Sequence, residues 1–265
     1  MPLTLSPLTD IPLIRHGDNL ADIVVNALQE NNISLQDNDI LVFAQKIVSK
    51  AEGRAINLAT VTPTQRAIEL AKQTEKDARV VELILQESNE VLRTRIGALI
   101  VEHKLGFVCA NAGIDHSNVS PPETSEVFGD FGSLKAEEWV LLLPVEPDRS
   151  AEKMRAEVKS RTGKRVGILI IDSHGRAWRN GTVGVAIGIA GLPGVEDLRG
   201  RPDLFGYKLQ VTQVGVADEL AAAASLMMGQ AAEGTPVVHV RGFSYPLRES
   251  NLKELIRPKE QDLFR

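Results

Sequence analysis

The chain has a single cysteine, Cys109, so no internal disulfide can form, and a reducing cytoplasm is the expected compartment. Aromatics are scarce as well: 7 Phe, 2 Trp and 2 Tyr among 265 residues. A core must therefore be assembled mainly from Leu, Ile, Val and Ala. Long apolar runs are missing too. The longest charge-free stretch near the middle, residues 180–195, contains five glycines and Pro193, whereas a membrane helix needs about 20 apolar residues. The opening MPLTLSPLTDIPLIRHGD lacks the basic start and continuous apolar segment of a signal peptide. No basic run occurs, and 30 Lys+Arg against 35 Asp+Glu leave a net charge of -5, which disfavours nonspecific nucleic-acid binding. An anionic substrate must then be met by local cations or metal ions, not by the overall field. A Walker loop is also absent: Gly163-Lys164 is followed by Arg165, and Val158 stands where the first glycine belongs. Neither G-x-G-x-x-G nor G-x-S-x-G occurs.

What is present is the composition of a folded chain, 43% hydrophobic with 21 Gly besides. The length fits one large domain or two small ones. Asp18 reads as the cap of a first helix, whose Leu20, Ile23, Val24, Ala27 and Leu28 recur on one face. Residues 40–43 read as a short buried strand. Thr62-Pro63-Thr64-Gln65 reads as a capping box with Pro at the first helical position, followed by helices over about 64–75 and 78–88. Strands are expected at 98–102 and 107–110. Residues 120–138 read as a loop. Ser150 is the expected cap of a helix that ends at Gly163. VGILII at 166–171 has the all-apolar signature of a strand buried on both faces. A strand at about 208–216, a helix at 217–229 and a strand at 236–241 complete an α+β fold with mixed and antiparallel sheets and no Walker P-loop.

Two segments share one design, an apolar strand that stops at a carboxylate. VCANAGIDHSN delivers Asp115, His116 and Asn118; VGILIIDSHGR delivers Asp172, Ser173, His174 and Arg176. Carboxylates at strand ends, followed by small polar oxygens, hold hard cations beside phosphates; each Asp equally suits a turn or a cap. Lone histidines with one Cys argue against zinc. QKIVSKAEGR places Gln45, Lys46, Lys50 and Arg54 after a strand, which fits either a polyphosphate or a solvated turn. The glycines at 181, 184, 188, 191 and 194 read as packing positions. Met227-Met228-Gly229-Gln230 reads as core and a C-cap, and Cys109 as inert core.

Seven blocks go beyond these single motifs. IPLIRHGDNL, DILVFAQKIVSKAEGR, VCANAGIDHSNV, LLLPVEPDRSAEKMRAEV, TGKRVGILIIDSHGRAWRNGTVGVAIGIAG, DLFGYKLQVT and VADELAAAASLMMGQ resemble, in order, the coenzyme F420-0:γ-glutamyl ligase family. The resemblance runs from about residue 11 to about 243. It implies a GTP-dependent, cytoplasmic homodimer that joins L-glutamate to coenzyme F420-0 and γ-links further glutamate. One catalytic unit of two intertwined lobes over 1–265 is implied, with 120–138 as a loop insertion and no C-terminal nitroreductase-like domain. Carried over by position, the metal ligands fall on Asp115, Asp172 and Ser173, with Gln230 where some relatives carry an acid. The implied ions are Mg²⁺ or Mn²⁺, two per site, with K⁺ as a further candidate. Nucleotide-contacting positions fall on Ile11, Pro12, Leu13, Ile14, Gln45, Lys46, Lys50 and Asn118. They continue along Leu226, Met227, Met228, Gly229, Gln230, Ala231, Ala232 and Glu233. No nucleic-acid or membrane partner is implied. The implied chemistry is phosphorylation of the coenzyme carboxylate by GTP, followed by attack of the glutamate amine on the acyl phosphate.

Overall fold

The computed structural model describes residues 2–119 and 138–262. The principal sheet has five strands in the order β1-β12-β2-β8-β9: β1 (Thr4–Pro7), β12 (Val237–Arg241), β2 (Ile40–Ala44), β8 (Gly167–Arg176) and β9 (Arg179–Ala190). Its centre is the parallel pair β2/β8, with Ile40 opposite Gly167 and Ala44 opposite Ile171; the other pairings are antiparallel.

β2 and the paired half of β8, residues 167–171, are apolar or glycine at every step because helices cover both faces. On one face Leu41, Phe43, Ile168 and Ile170 pack with α1 (Leu20–Glu30) and α5 (Pro147–Thr162). On the other, Ile40, Val42, Leu169 and Ile171 pack with α6 (Val216–Met228). The all-apolar run therefore meant what it was read to mean. A second core lies under α3 (Gln65–Thr74) and α4 (Ala78–Gln86). It is formed with the meander β4 (Ser88–Arg95), β5 (Ala98–His103) and β6 (Val108–Ala110). β3 (Ala55–Asn57) pairs there with β7 (Trp139–Leu141). Mixed and antiparallel sheets with interspersed helices make the α+β fold expected.

Several local readings are corrected. Asn19, not Asp18, caps α1, accepting the Asp22 N–H at 3.0 Å; Asp18 instead accepts from the Arg15 N–H at 2.7 Å. Thr64, not Thr62, caps α3, accepting the Ala67 N–H at 3.3 Å, so Pro63 precedes the helix. A distant group decides that start: the Glu82 carboxylate of α4 accepts from both the Thr64 N–H and hydroxyl. α5 begins at Pro147, three residues before the expected Ser150, and ends at Gly163 with φ 71° as expected. Of the strand expected at 208–216, only β11 (Gln213–Val214) forms, paired with β10 (Glu196–Asp197).

Most of the glycine-rich stretch is β9, and its Gly184 and Gly188 do serve packing, whereas Gly181, at φ 81°, has nothing within 4 Å of an added Cβ. A Cβ on Gly184 would lie 2.6 Å from the Ser225 Cβ and 2.9 Å from the Ala221 carbonyl carbon, both on α6. One on Gly188 would lie 2.7 Å from the Pro147 carbonyl of α5. Bare backbone lets a helix sit flush on each face. The 120–138 loop falls outside the described residues except for Glu138.

Candidate functional site

α2 (Gln45–Ala51) follows β2 without a break, so Gln45 and Lys46 emerge where that strand ends. β8 runs on past its partner: Ala44 is opposite Ile171, and Asp172 and Ser173 extend beyond. Open crevices at the carboxyl ends of parallel strands are where α/β sheets bind ligands. Asp115 arrives from the second core. After β6 the chain passes through Asn111 and Ala112, both in the left-handed region, and Asp115 then bridges to Leu141 by two backbone hydrogen bonds.

The sequence-nominated groups meet here. The Asp115 carboxylate accepts from Gln45 Nε2 at 2.9 Å and lies 3.6 Å from Lys46 Nζ. Burial pushes Asp115 up to about 6; Lys46 opposes that rise and the Asp172 charge reinforces it. A carboxylate whose proton affinity is raised by a neighbouring carboxylate marks a site short of positive charge. Lys46 Nζ also reaches the Ser117 hydroxyl at 2.8 Å. Lys50, one turn on, is lowered by burial and by the Lys46 charge.

On the other side, Ser173 donates to Gln230 Oε1 at 2.9 Å, while Gln230 Nε2 donates to the Ser225 hydroxyl at 3.0 Å. That second bond orients the amide so that its oxygen faces Ser173. Asn118 Nδ2 donates to the Ala231 carbonyl at 3.1 Å, tying the Asp115 loop to the segment after α6. The Asp172 carboxylate meets His174 Nε2 at 3.0 Å. His174 lies against Phe107, centroids 5.2 Å apart, and Phe107 stacks on His103 at the same spacing.

The remaining nominated residues are placed less uniformly. Ile11 and Ile14 pack into the core shared with α1 and α2, while Pro12 and Leu13 face outward. Met228 is buried, but Leu226 is 85% and Met227 41% exposed, so only part of that helix end is the core it was read as. Gly229 caps α6, and the Glu233 carboxylate accepts from the Ala231 N–H at 2.8 Å. Cys109 is buried, with its thiol pushed up to about 12 by that burial, and is inert as expected. A cleft of about 600 Å³ between α1, α2 and α5 contains none of the nominated residues.

Asp115, Asp172, Ser173 and Gln230 offer oxygen donors only, which suits Mg²⁺ or Mn²⁺ and not zinc. Among the described residues, no three His, Cys, Asp or Glu side chains cluster as a closed metal cage. An open set of two carboxylates with neutral oxygens is what a hard cation shared with phosphates requires, so the residues fit the group. Sequence reasoning missed Ser117 and Ser225. Ser117 stood inside the quoted DHSN and was passed over; Ser225, in an alanine-rich helix, gave no signal.

Among the described residues, no helix is long and apolar enough to cross a membrane. A family model described as F420-0:Gamma-glutamyl ligase matches residues 9–242. Coenzyme F420:L-glutamate ligase of Methanothermobacter thermautotrophicus is 44% identical over 267 residues, covering 100% of both chains. The protein of that name from Archaeoglobus fulgidus is 42% identical, covering 100% of this chain and 97% of its own. That from Methanocaldococcus jannaschii is 42% identical, covering 97% and 94%. At these identities over full length, the chain belongs to the F420-0:gamma-glutamyl ligase family.

Proposed function

We propose that the chain joins L-glutamate to coenzyme F420-0 at the expense of GTP, through an acyl phosphate, and γ-links further glutamate. The observation that carries this reading is the meeting of Asp115, on the loop after β6, with Asp172, on β8 just past its pairing with β2. A carboxylate accepts an amine only after its oxygen becomes a leaving group, and GTP supplies the phosphoryl group that makes it one. Asp115, Asp172, Ser173 and Gln230 would hold Mg²⁺ or Mn²⁺, which neutralises phosphate charge and screens the repulsion between anionic substrates. Lys46 and Lys50 add cationic charge on the nucleotide side. Gln45 and the Ser225–Gln230 amide hold the donor oxygens in place. Asn118, Ile11–Ile14 and Leu226–Glu233 form the nucleotide wall in this reading.

A homodimer belongs to the same proposal. Residues 198–212 project as an arm closed by the Pro202–Lys208 bridge. At its tip Leu204 and Phe205 are 97% and 95% exposed, and Tyr207 is 61% exposed. Such a contiguous apolar tip on a soluble surface supports burial against a second copy.

The deciding experiment incubates the chain with glutamate, coenzyme F420-0, Mg²⁺ or Mn²⁺ and either GTP or ATP, read by mass spectrometry. Glutamyl adducts with GTP and a stoichiometric release of phosphate are expected. No adduct with any metal would sink the reading, and equal kcat/KM with ATP would remove its nucleotide preference.

A further inference from the structure

β8 does not end at the site. Four residues past Asp172 it reaches Arg176, about 13 Å farther at ~3.3 Å per residue. It then turns through Ala177 and Trp178 into β9, with Arg176 directly opposite Arg179. By the two-residue period of a strand, Arg176 shares its face with His174 and Asp172.

Three features of this turn work against the folded chain. Two guanidiniums opposite each other repel, and neither has a hydrogen bond or ion pair among the described residues. Trp178 is 90% exposed, so its indole contributes almost no burial. It also sits at φ 62°, a backbone region that suits glycine and strains a bulky side chain. Nothing in the fold gains from Arg, Trp and Arg at these positions.

All three fit one ligand chemistry. Paired guanidiniums bind a phosphate or carboxylate, and an exposed indole covers a planar ring. The arm shares a strand with Asp172 and Ser173, so such a ligand would have its reacting end at the site and its ring end far along β8. The geometry points to the Arg176–Trp178–Arg179 turn as the docking arm for the coenzyme acceptor, the guanidinium pair on an anionic group and the indole on its ring. This rests on the proposed function and adds to it the place of the acceptor's far end. Position favours that occupant over a second copy of the chain, since the cationic and aromatic turn is carried on the same strand as Asp172 and Ser173.

The test is a titration of the full chain, without nucleotide and at low salt, followed by tryptophan emission. The indole Nε1 of the other tryptophan, Trp139, is buried, so quenching of the solvent-exposed component reports Trp178. Coenzyme F420-0 is one probe; flavin mononucleotide, a ring with a phosphate, is the second, and riboflavin the phosphate-free control. Quenching by both anionic probes is expected, with riboflavin weaker. Arg176→Gln with Arg179→Gln should raise Kd by roughly 10-fold or more, the scale of lost charge-assisted hydrogen bonds. KM for GTP should stay put. Trp178→Gly should keep or raise the melting temperature while losing binding, which separates docking from folding.

An unchanged Kd in the double Arg variant would overturn the arm. So would a lowered sedimentation coefficient in that variant, which would assign the turn to a subunit contact. A chain that binds flavin mononucleotide through the arm yet adds no glutamate to coenzyme F420-0 would refute the proposed function and leave the arm. Normal glutamate addition with unaltered coenzyme KM in the double variant would refute the arm alone.

Discussion

Gly184 is opposite Ser173 across β8 and β9, and α6 lies directly on it. Gly184→Ala therefore inserts one methyl between β9, the strand paired with Ser173, and the helix that carries Ser225. The new Cβ would lie 2.6 Å from the Ser225 Cβ, where ordinary contact begins at 3.4 Å, so the helix must retreat by at least about 0.8 Å. The nearest obstacle is the Ala221 backbone carbonyl, which cannot rotate away as a side chain would. Overpacking of this kind costs roughly 1–3 kcal/mol. The loss of glycine's unfolded-state freedom returns about 0.4–1 kcal/mol, because Gly184 does not need a left-handed backbone. A net loss of about 1–2 kcal/mol leaves a typical domain folded. Function is more sensitive: the retreat carries Ser225, and with it the Gln230 amide, away from Ser173, and a misplacement near 1 Å can reduce turnover about 100-fold. Gly175→Ala is the matched control, on the neighbouring strand with nothing within 4 Å of the new methyl. Thermal melts and glutamate incorporation across a metal titration measure both effects. The expected result is a modest loss of melting temperature, a turnover loss of at least about 10-fold and a raised metal requirement for Gly184→Ala alone. Parent-like turnover and metal dependence in that variant would refute the claim that α6 is positioned through this glycine.

Asp115→Asn and Asp172→Asn should each cut turnover by at least about 100-fold with the fold intact, since an amide dipole cannot offset a divalent charge; near-normal rates at limiting metal would remove the carboxylate pair. Ser173→Thr should lose less than Ser173→Ala, because threonine keeps the oxygen, and equal rates for the Ala variant and the parent would strike Ser173 from the site. Asp39 supplies a pH test. Burial pushes its carboxyl upward, but hydrogen bonds from Arg241, at 2.7 and 2.9 Å, and from His239, at 2.9 Å, outweigh that and hold it well below the carboxylate range. A depressed folded value means stability that is fully present above the unfolded value of ~3.9 and is lost as pH falls through the folded one. The melting temperature should therefore drop steeply below about pH 4, and Asp39→Asn, less stable at neutral pH, should flatten that acid limb; identical slopes would show that another carboxylate governs it.

The strands and helices with strong periodicity were legible because their pattern records burial, which is a property of each residue and its neighbours along the chain. VGILII announced a strand covered on both faces, and Gly163 marked the end of α5. Asp115, Asp172 and Ser173 were visible as carboxylates and a hydroxyl after apolar runs, although neither strand stops at its carboxylate: β8 continues through Asp172 and Ser173 to Arg176, and β6 ends at Ala110, before Asp115; the seven ordered blocks identified the family. Helix starts were less legible. Thr64 caps α3 because Glu82, 18 residues away, accepts from it, and no local pattern carries that bond. Ser225 was invisible for the same reason: its partner Gln230 is held by a contact with Ser173, 57 residues earlier in the chain. The glycines of residues 180–195 announced close packing, which holds at Gly184, Gly188, Gly191 and Gly194 but not at Gly181, and they did not announce what approaches them. Composition and periodicity thus determine which residues are buried and which chemistry is on offer. Only tertiary structure decides which donors share a site, because hydrogen bonds and ion pairs act over about 3 Å in space and take no account of distance along the chain.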